Sequence, residues 1–128
     1  MLDTGSPHLV KFVNNIKSVD IINEGREIRH SKIVGEGGAN INFAQISNDI
    51  IKVGTYERGV ENETLSCGTG VTAVAISAYL KTGKEKTNLD IETKGGTLNV
   101  KFKEKNRSFS DIWLTGPAKF VFKGQIEL

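Results

Sequence analysis

The stretch VTAVAISAYL, residues 71–80, decides how the rest of the sequence is interpreted. It is apolar on almost every side of a helix and contains three alanines, the residue with the highest helix propensity. Lys81-Thr82-Gly83 follows, and a basic residue with a glycine is typical of a helix C-terminus. A helix that is hydrophobic all round is a buried helix, so the sequence predicts one central helix enclosed by other elements.

The segments on both sides of this helix have the patterns of β-strands. Residues 98–102 alternate apolar and polar side chains after the turn Lys94-Gly95-Gly96, which is typical of a half-buried hairpin. In Ala39–Ile46, the even-numbered Asn40 and Asn42 fall on the face opposite Ile41 and Phe43. In the next segment, strand alternation places Glu57 on the face of Ile51, Val53 and Thr55.

The remaining predicted strands are His8–Val13, Asp49–Gly59, Leu89–Thr93, Ile112–Thr115 and, after a Gly116-Pro117 turn, Lys119–Phe122. Val19–His30 has a helical spacing of apolar residues that suits a surface helix, although Gly25 disfavours it. The sum is an α+β fold, in which a mostly antiparallel sheet curls around one central apolar helix.

Length and charge restrict the class of protein. The chain has 128 residues and no internal repeat or composition break, so residues 1–128 are predicted to be a single domain. Its 17 Lys+Arg and 15 Asp+Glu leave a net charge of +2, which does not predict a nucleic-acid or anionic-membrane partner. No apolar run is long enough to span a bilayer, the start MLDTGSPHLV is unlike a signal peptide, and one cysteine cannot form an internal disulfide. We therefore expect a cytoplasmic domain.

The single cysteine, Cys67, stands in the motif SCGTG, residues 66–70, directly before the predicted helix. The first backbone N–H groups of a helix lack internal partners and carry the positive end of its dipole. Such a site favours a thiolate and binds carboxylate or phosphate groups, and Gly68 and Gly70 allow a ligand to approach the backbone. The alternative, which the motif alone leaves open, is a small buried cysteine beside a glycine-shaped turn.

Other polar residues are candidates with ordinary alternatives. Glu57 faces a core or a cleft, or forms a surface salt bridge; Arg58 binds a carboxylate, or is solvated. Asn40 binds a polar ligand, or is a strand-edge asparagine, and His8 is either a site histidine or a structural one. We interpret His30, the second histidine, as structural.

Two kinds of site are not predicted. One cysteine and two distant histidines do not make a zinc site, so no metal is expected. Gly35-Glu36-Gly37-Gly38 is interpreted as a loop, because it lacks the strand-to-helix context of a dinucleotide-binding motif.

Four motifs in series resemble those of one family. They are TGSPH at 4–8, NINF at 40–43, YERG at 56–59 and ETLSCGTG at 63–70, and in order and spacing they are similar to the C-terminal half of diaminopimelate epimerase. The resemblance covers essentially the whole chain. It implies a protein of two similar α/β halves, each a sheet wrapped around a central helix, with the substrate between them. It also implies interconversion of LL- and meso-diaminopimelate in lysine and peptidoglycan biosynthesis without pyridoxal phosphate, a metal or another cofactor.

The resemblance also implies roles for individual residues. Cys67 matches one of two catalytic cysteines, one from each half, that serve as acid and base on opposite faces of the α-carbon. Gly68 and Thr69 match backbone amides that hold the reacting carboxylate. His8 and Glu57 match residues that tune the thiol. Asn40 and Arg58, together with Glu57, match contacts to the distal amino and carboxylate groups of the substrate.

Three departures from the family pattern qualify these roles. Ser6 stands where many members carry a substrate-binding asparagine, so that contact is in doubt. Val60-Glu61-Asn62 makes the loop between Glu57 and Cys67 one residue longer than in many members. The chain contains no second cysteine, so it resembles an enzyme half that lacks the N-terminal domain and is expected to be inactive alone.

Alternative functions follow from the same residues. A proline or hydroxyproline racemase has the same two-half fold and paired thiols. Acyl transfer by Cys67 would need a histidine base, for which His8 is the candidate. A non-catalytic module would use the helix N-terminus and Arg58 to bind a dicarboxylate or diamino acid. The expected partners are diaminopimelate, the missing N-terminal domain and, in its absence, a second copy that forms a homodimer over the exposed cleft face.

Overall fold

Eight strands and two helices form the described part of the chain, which is residues 1–48, 50–83 and 85–128 of the computed structural model. The strands are β1 (Leu2–Asp3), β2 (Pro7–Phe12), β3 (Asn40–Ser47), β4 (Ile50–Glu57), β5 (Asn62–Thr64), β6 (Asn88–Thr93), β7 (Gly96–Lys105) and β8 (Ser108–Thr115). The helices are α1 (Ile21–Arg29) and α2 (Gly68–Thr82), and short 3-10 turns lie at Ile16–Ser18 and Lys32–Val34. Asp49, the predicted first residue of the second long strand, lies outside the described residues.

The strands form one mixed, curled sheet in the order β1-β2-β3-β4-β6-β7-β8, and β5 pairs with β4 beside this path. Parallel pairing is found between β2 and β3 and between β4 and β6, whereas the other pairs are antiparallel. The predicted α+β class and the mostly antiparallel sheet are therefore confirmed.

Helix α2 is the predicted central helix. It begins at Gly68, three residues before the apolar run starts, and it ends where Gly83 adopts a left-handed conformation with φ 63° and donates its N–H to the Tyr79 carbonyl. Nearly every residue from Gly70 to Ala78 is buried. The core on this face of the sheet joins Val71, Val74 and Ala75 of α2 to apolar side chains of β3, β4, β6 and β7. Over the described residues, no helix is both long and apolar enough to cross a bilayer.

Helix α1 covers the opposite face of the sheet, where Ile41, Phe43 and Tyr56 form a second core. Its N-terminus is stabilised by Asp20, whose carboxylate accepts a hydrogen bond from the Asn23 N–H at 3.0 Å. Gly25, which disfavours a helix in the sequence, is buried against the sheet, because a Cβ at this position would lie 2.4 Å from the Cβ of Tyr56. The glycine lets α1 approach strand β4 closely.

The prediction of a strand at Lys119–Phe122 is wrong. Residues 116–128 follow β8 without regular secondary structure, and the side chains of Phe120, Val121 and Phe122 are about 80% exposed. A strand needs a partner for its backbone N–H and C=O groups, and no described strand pairs with this segment. Its three consecutive apolar residues therefore form an exposed apolar surface in this chain.

Gly25→Ala tests the contact between α1 and the sheet. An exposed helix glycine gains about 1 kcal/mol on replacement by alanine, but overpacking in a core costs about 1–3 kcal/mol. Because the new methyl group would overlap Tyr56, we expect Gly25→Ala to lower the free energy of unfolding by about 1–2 kcal/mol in urea denaturation. Glu27→Ala, at an exposed position of the same helix, is the control and should change it by less than about 0.5 kcal/mol. A Gly25→Ala chain more stable than the parent would contradict this packing.

Candidate active site

The start of helix α2 presents unpaired backbone donors beside a thiol. Cys67 is the N-cap residue, with extended backbone angles of φ −128° and ψ 107°, and its side chain makes no capping hydrogen bond. Its carbonyl accepts the first helical hydrogen bond, from the Val71 N–H at 2.8 Å. The N–H groups of residues 68–70 have no partner among the described residues. A half-buried free thiol thus adjoins a group of donors suited to a carboxylate.

The two glycines at this helix start also have a packing role. A Cβ on Gly70 would lie 2.4 Å from Oδ1 of Asn42, and a Cβ on Gly68 would lie 2.8 Å from Cδ2 of Leu114. The sequence suggested that these glycines allow a ligand to approach. In the structure, they let the helix N-terminus approach strands β3 and β8.

Hydrogen-bond contacts connect Cys67 to a buried histidine through Thr69. The Sγ atom of Cys67 lies 3.5 Å from Oγ1 of Thr69, and the same hydroxyl lies 2.9 Å from Nε2 of His8. Thr69 is held from a second side, because the hydroxyl of Thr4 donates to its carbonyl at 2.8 Å. The structure therefore brings together Cys67, Thr69 and His8, which were predicted to share a site.

His8 lies on β2 with its side chain fully buried under α2. Burial lowers the pKa of His8, because the charged imidazolium loses hydration. Asp3 and Glu57 oppose this shift in the His8 pKa through their negative charges, whereas the Arg58 charge adds to it. The His8 ring is thus favoured in its neutral form, and it lies within electrostatic range of the predicted substrate contacts.

Ser6 occupies the centre of the site. Its hydroxyl lies 3.0 Å from Nε2 of His8 and 3.3 Å from the hydroxyl of Thr69, and it accepts a hydrogen bond from Nδ2 of Asn40 at 3.3 Å. Ser6 therefore connects His8 to Asn40 of strand β3. These contacts are with protein atoms, so they leave the doubtful direct substrate contact of Ser6 as a prediction.

Asn40 positions the end of strand β4. It is buried, and its Oδ1 accepts the backbone N–H of Arg58 at 2.8 Å while its Nδ2 donates to Ser6 and to the Pro7 carbonyl. The amide groups of Asn40 are thus engaged by the protein. We infer that Asn40 holds Arg58 in place, and its predicted direct contact with the substrate is untested.

Glu57 and Arg58 stand side by side where β4 ends. The Arg58 side chain is exposed, and its guanidinium donates one hydrogen bond to the Gly37 carbonyl at 3.2 Å, which leaves other N–H groups available for a carboxylate. The half-buried Glu57 carboxylate makes no hydrogen bond or ion pair with any described residue. An anionic and a cationic side chain thus follow one another at the end of β4.

Some residues lie outside this cluster, and others enter it unpredicted. His30 is exposed and pairs with Glu61, as expected of a structural histidine. Within residues 1–48, 50–83 and 85–128, no three His, Cys, Asp or Glu side chains cluster as a metal site would require. Thr4, Asn42 and Thr55 were not among the predicted site residues. Asn42 could have been suspected, because a polar residue stands on a strand face that packs against an apolar helix.

The sequence matches one family of known proteins over nearly its whole length. Residues 1–121 match the family model for diaminopimelate epimerase. The diaminopimelate epimerase of Flavobacterium psychrophilum is 51% identical over 127 residues, which are 98% of this chain and 49% of the relative. Those of Chlorobaculum tepidum and Aquifex aeolicus are each 43% identical and cover 99% and 98% of this chain, equal to 49% and 44% of their own lengths. The chain thus spans about half the length of the curated relatives it matches.

Solved structures support the fold. A phenazine biosynthesis protein of the PhzF family from Enterococcus faecalis superposes with a TM-score of 0.58 at 17% identity, over 77% of this chain and 35% of its own. A predicted epimerase from Pseudomonas aeruginosa gives a TM-score of 0.56 at 10% identity, over 78% and 34% of the two chains. At these identities the likeness shows a shared fold.

Thr69→Val tests the hydroxyl between the thiol and the histidine. The thiolate of Cys67 would lose a hydrogen-bond donor of about 1 kcal/mol, so we expect its alkylation by iodoacetamide at fixed pH to slow about fivefold. The signal is unambiguous because Cys67 is the only cysteine. Thr64→Val is the matched control, because the Thr64 hydroxyl is buried without a partner. Equal alkylation rates in the parent and both variants would contradict a Thr69–Cys67 hydrogen bond.

Proposed function

The chain belongs to the diaminopimelate epimerase family, and from this premise we propose that it is one half of a cofactor-independent, two-cysteine epimerase. Its substrate would be diaminopimelate, interconverted between the LL and meso forms in lysine and peptidoglycan biosynthesis. The observation that carries the proposal is the placement of Cys67 at the unpaired N-terminal amides of α2, in contact with Thr69 and through it with His8.

Inversion of a stereocentre needs two proton carriers on opposite faces of the α-carbon. In one direction, the Cys67 thiolate removes the α-proton and becomes a thiol, while a thiol of the other half donates a proton to the opposite face and becomes a thiolate. The reverse reaction exchanges these roles. This chain has one cysteine, so the second carrier must come from another chain segment or subunit.

The helix N-terminus stabilises the charge that develops during proton removal. As the Cα–H bond breaks, negative charge spreads from the α-carbon onto the adjacent carboxylate. The backbone N–H groups of Gly68, Thr69 and Gly70 point outward from the helix start and are free to donate to that carboxylate. Donors fixed in the backbone need no reorganisation when the charge appears. The thiols thus carry the protons, and the backbone N–H groups stabilise the charge that develops.

The end of β4 would bind the distal end of the substrate. Arg58 offers a guanidinium to the distal carboxylate, and the unpaired Glu57 carboxylate suits the distal ammonium group. Asn40 supports this contact by holding the Arg58 backbone. A substrate with charged groups at both ends would be fixed along the line from α2 to the end of β4.

The second half would cover the apolar surface of the β8 side. Ile112 and Leu114 are more than 40% exposed on the face of β8 beside α2, where Gly68 approaches Leu114, whereas Trp113, 68% exposed, points to the other face. The chain continues into the exposed Phe120–Phe122 segment. Large exposed apolar patches mark interaction surfaces, so we infer that the N-terminal domain packs here.

A reactive thiol also needs a reducing compartment, which supports a cytoplasmic location.

Deuterium incorporation at the α-carbon tests the proposed reaction. The N-terminal half of the Flavobacterium psychrophilum relative, joined to this chain, is incubated with LL-diaminopimelate in D₂O and followed by proton NMR. We expect exchange with this fusion and none with this chain alone. Cys67→Ala should reduce the exchange rate about 1000-fold, since it removes an acid–base group. Ser66→Ala, at the exposed neighbouring position, is the control and should retain full exchange.

Three outcomes would contradict the proposal. Full exchange in the Cys67→Ala fusion would exclude Cys67 as a proton carrier. Absence of exchange in a folded fusion that still binds diaminopimelate would favour the non-catalytic binding module. Exchange by this chain alone would instead indicate a homodimer that brings two copies of Cys67 together, and would contradict the need for the other half.

A further inference from the structure

A buried polar pair lies beneath His8, and the proposed reaction does not use it directly. Asn42 of β3 and Thr55 of β4 are register partners in the sheet, and both side chains are almost completely buried. The Thr55 hydroxyl donates to Oδ1 of Asn42 at 2.9 Å. Buried polar groups are costly unless they are hydrogen-bonded, and the partners of this pair fix its orientation.

The hydrogen-bond partners determine which way the Asn42 amide points. Its Nδ2 lies 3.1 Å from the Leu9 carbonyl oxygen and 3.2 Å from Nδ1 of His8. A backbone carbonyl only accepts hydrogen bonds, so the atom that faces Leu9 must be the NH₂ group. The opposite orientation would place two acceptor oxygens against each other. One amide hydrogen then goes to Leu9 and the other points at the His8 ring.

This orientation determines where the His8 ring carries its hydrogen. Since Asn42 donates toward Nδ1, that nitrogen must be the unprotonated acceptor, and a neutral ring carries its hydrogen on Nε2. An imidazolium would set an N–H against the N–H of Asn42. The single Nε2–H hydrogen therefore lies between two hydroxyl acceptors, Thr69 at 2.9 Å and Ser6 at 3.0 Å, and Thr69 is the nearer.

The orientation of the Thr69 hydroxyl, and with it the contact to the Cys67 thiol, follows from the His8 tautomer. If Thr69 accepts from His8, its own hydroxyl hydrogen is free to point at Sγ of Cys67, 3.5 Å away. A Cys67 thiolate can only accept this hydrogen bond, whereas a thiol has its own hydrogen and could donate it to the Thr69 oxygen instead. We propose that Asn42, held by Thr55, is a positioning residue that fixes His8 as the Nε2–H tautomer, so that His8 supports the Cys67 thiolate through Thr69 as a hydrogen-bond donor and does not act as its base.

The surroundings of the ring agree with a neutral donor. The His8 side chain is fully buried, and Asp3, Glu57 and Arg58 are the charged groups that act on it. Gly70 of α2 packs directly over the same contact, because a Cβ there would lie 3.3 Å from Cε1 of His8 and 2.4 Å from Oδ1 of Asn42. Gly70 thus keeps the ring and the amide packed together, and their hydrogen-bond partners set the orientation of the amide.

Nitrogen-15 NMR of the two ring nitrogens tests the proposal in the 128-residue chain without substrate. At neutral pH, His8 should show Nδ1 at the frequency of an unprotonated nitrogen and Nε2 at that of a protonated one. His30 is exposed and serves as the internal reference. A His8 ring that carries its hydrogen on Nδ1, or that is an imidazolium at neutral pH, would overturn the proposal.

Asn42→Asp asks whether Asn42 controls the ring. A carboxylate only accepts, so the His8 ring should gain a hydrogen on Nδ1, and its pKa should rise beside the new negative charge. Asn88→Asp is the matched control on β6, because that exposed side chain already accepts from Asn99 at 2.7 Å and continues to do so as a carboxylate. It should leave the His8 resonances unchanged. An unchanged His8 ring in folded Asn42→Asp would overturn the proposal.

If the buried carboxylate of Asn42→Asp prevents folding, Asn42→Ala tests whether Asn42 controls the His8 tautomer. Without the donor, the two tautomers mix, and the Nδ1 and Nε2 frequencies should move toward each other. Thr69 then shares its hydrogen between Nε2 and Cys67, so alkylation of Cys67 by iodoacetamide should slow by about twofold to fivefold. A folded variant with the parental tautomer and the parental alkylation rate would show that Asn42 has only a packing role.

The inference rests on the proposed function for its catalytic meaning, but its test does not. The ring nitrogens and the thiol are observed without substrate or a second half. If His8 carries its hydrogen on Nδ1 while deuterium exchange proceeds as expected, this inference fails and the epimerase proposal stands. If exchange fails while His8 has the expected tautomer, the positioning by Asn42 stands and the proposed reaction fails.

Discussion

The close approach of helix α2 to the sheet at Gly70 is the constraint on which the candidate site depends. Any side chain at this position would overlap the Asn42 amide and press on the His8 ring. With glycine there, the positive end of an apolar, buried helix lies directly over the polar side chains of β2 and β3. The same approach places Cys67 at the helix N-cap, beside the Thr69 hydroxyl that contacts His8. The close approach at Gly70 therefore determines both the packing of α2 on the sheet and the contacts of Cys67.

The polar residues under the helix form a continuous set of hydrogen bonds from the core to the surface. Thr55, Asn42, His8 and Thr69 follow one another at separations between 2.9 and 3.2 Å, and Cys67 stands at the solvent end. Each member satisfies a neighbour that would otherwise be buried without a partner. A second branch runs through Ser6 and Asn40 to Arg58, so both ends of the proposed substrate would be held by one network.

Patterns in the sequence predicted local structure better than relations between distant segments. The apolar run at 71–80 identified the central helix, and alternation placed Asn40 and Asn42 together on one face of β3. Alternation does not reveal register, however, and the pairing of Asn42 with Thr55 depends on it. The low helix propensity of Gly25 disfavours a helix, whereas its close contact with Tyr56 is a tertiary feature that the local sequence does not show. The strand predicted at Lys119–Phe122 is absent for a related reason: a strand needs a pairing partner, and the residues of the segment do not determine one.

The amide resonances of the α2 N-terminus test the central claim most directly. The fusion with the N-terminal half, carrying Cys67→Ala to prevent turnover, is titrated with diaminopimelate and followed by proton–nitrogen NMR. If the helix start holds the reacting carboxylate, the backbone N–H signals of Gly68, Thr69 and Gly70 should shift downfield together. These shifts and the shift of the Arg58 signal should give the same dissociation constant for diaminopimelate. Binding that shifts Arg58 and leaves these three amides unchanged would contradict the account.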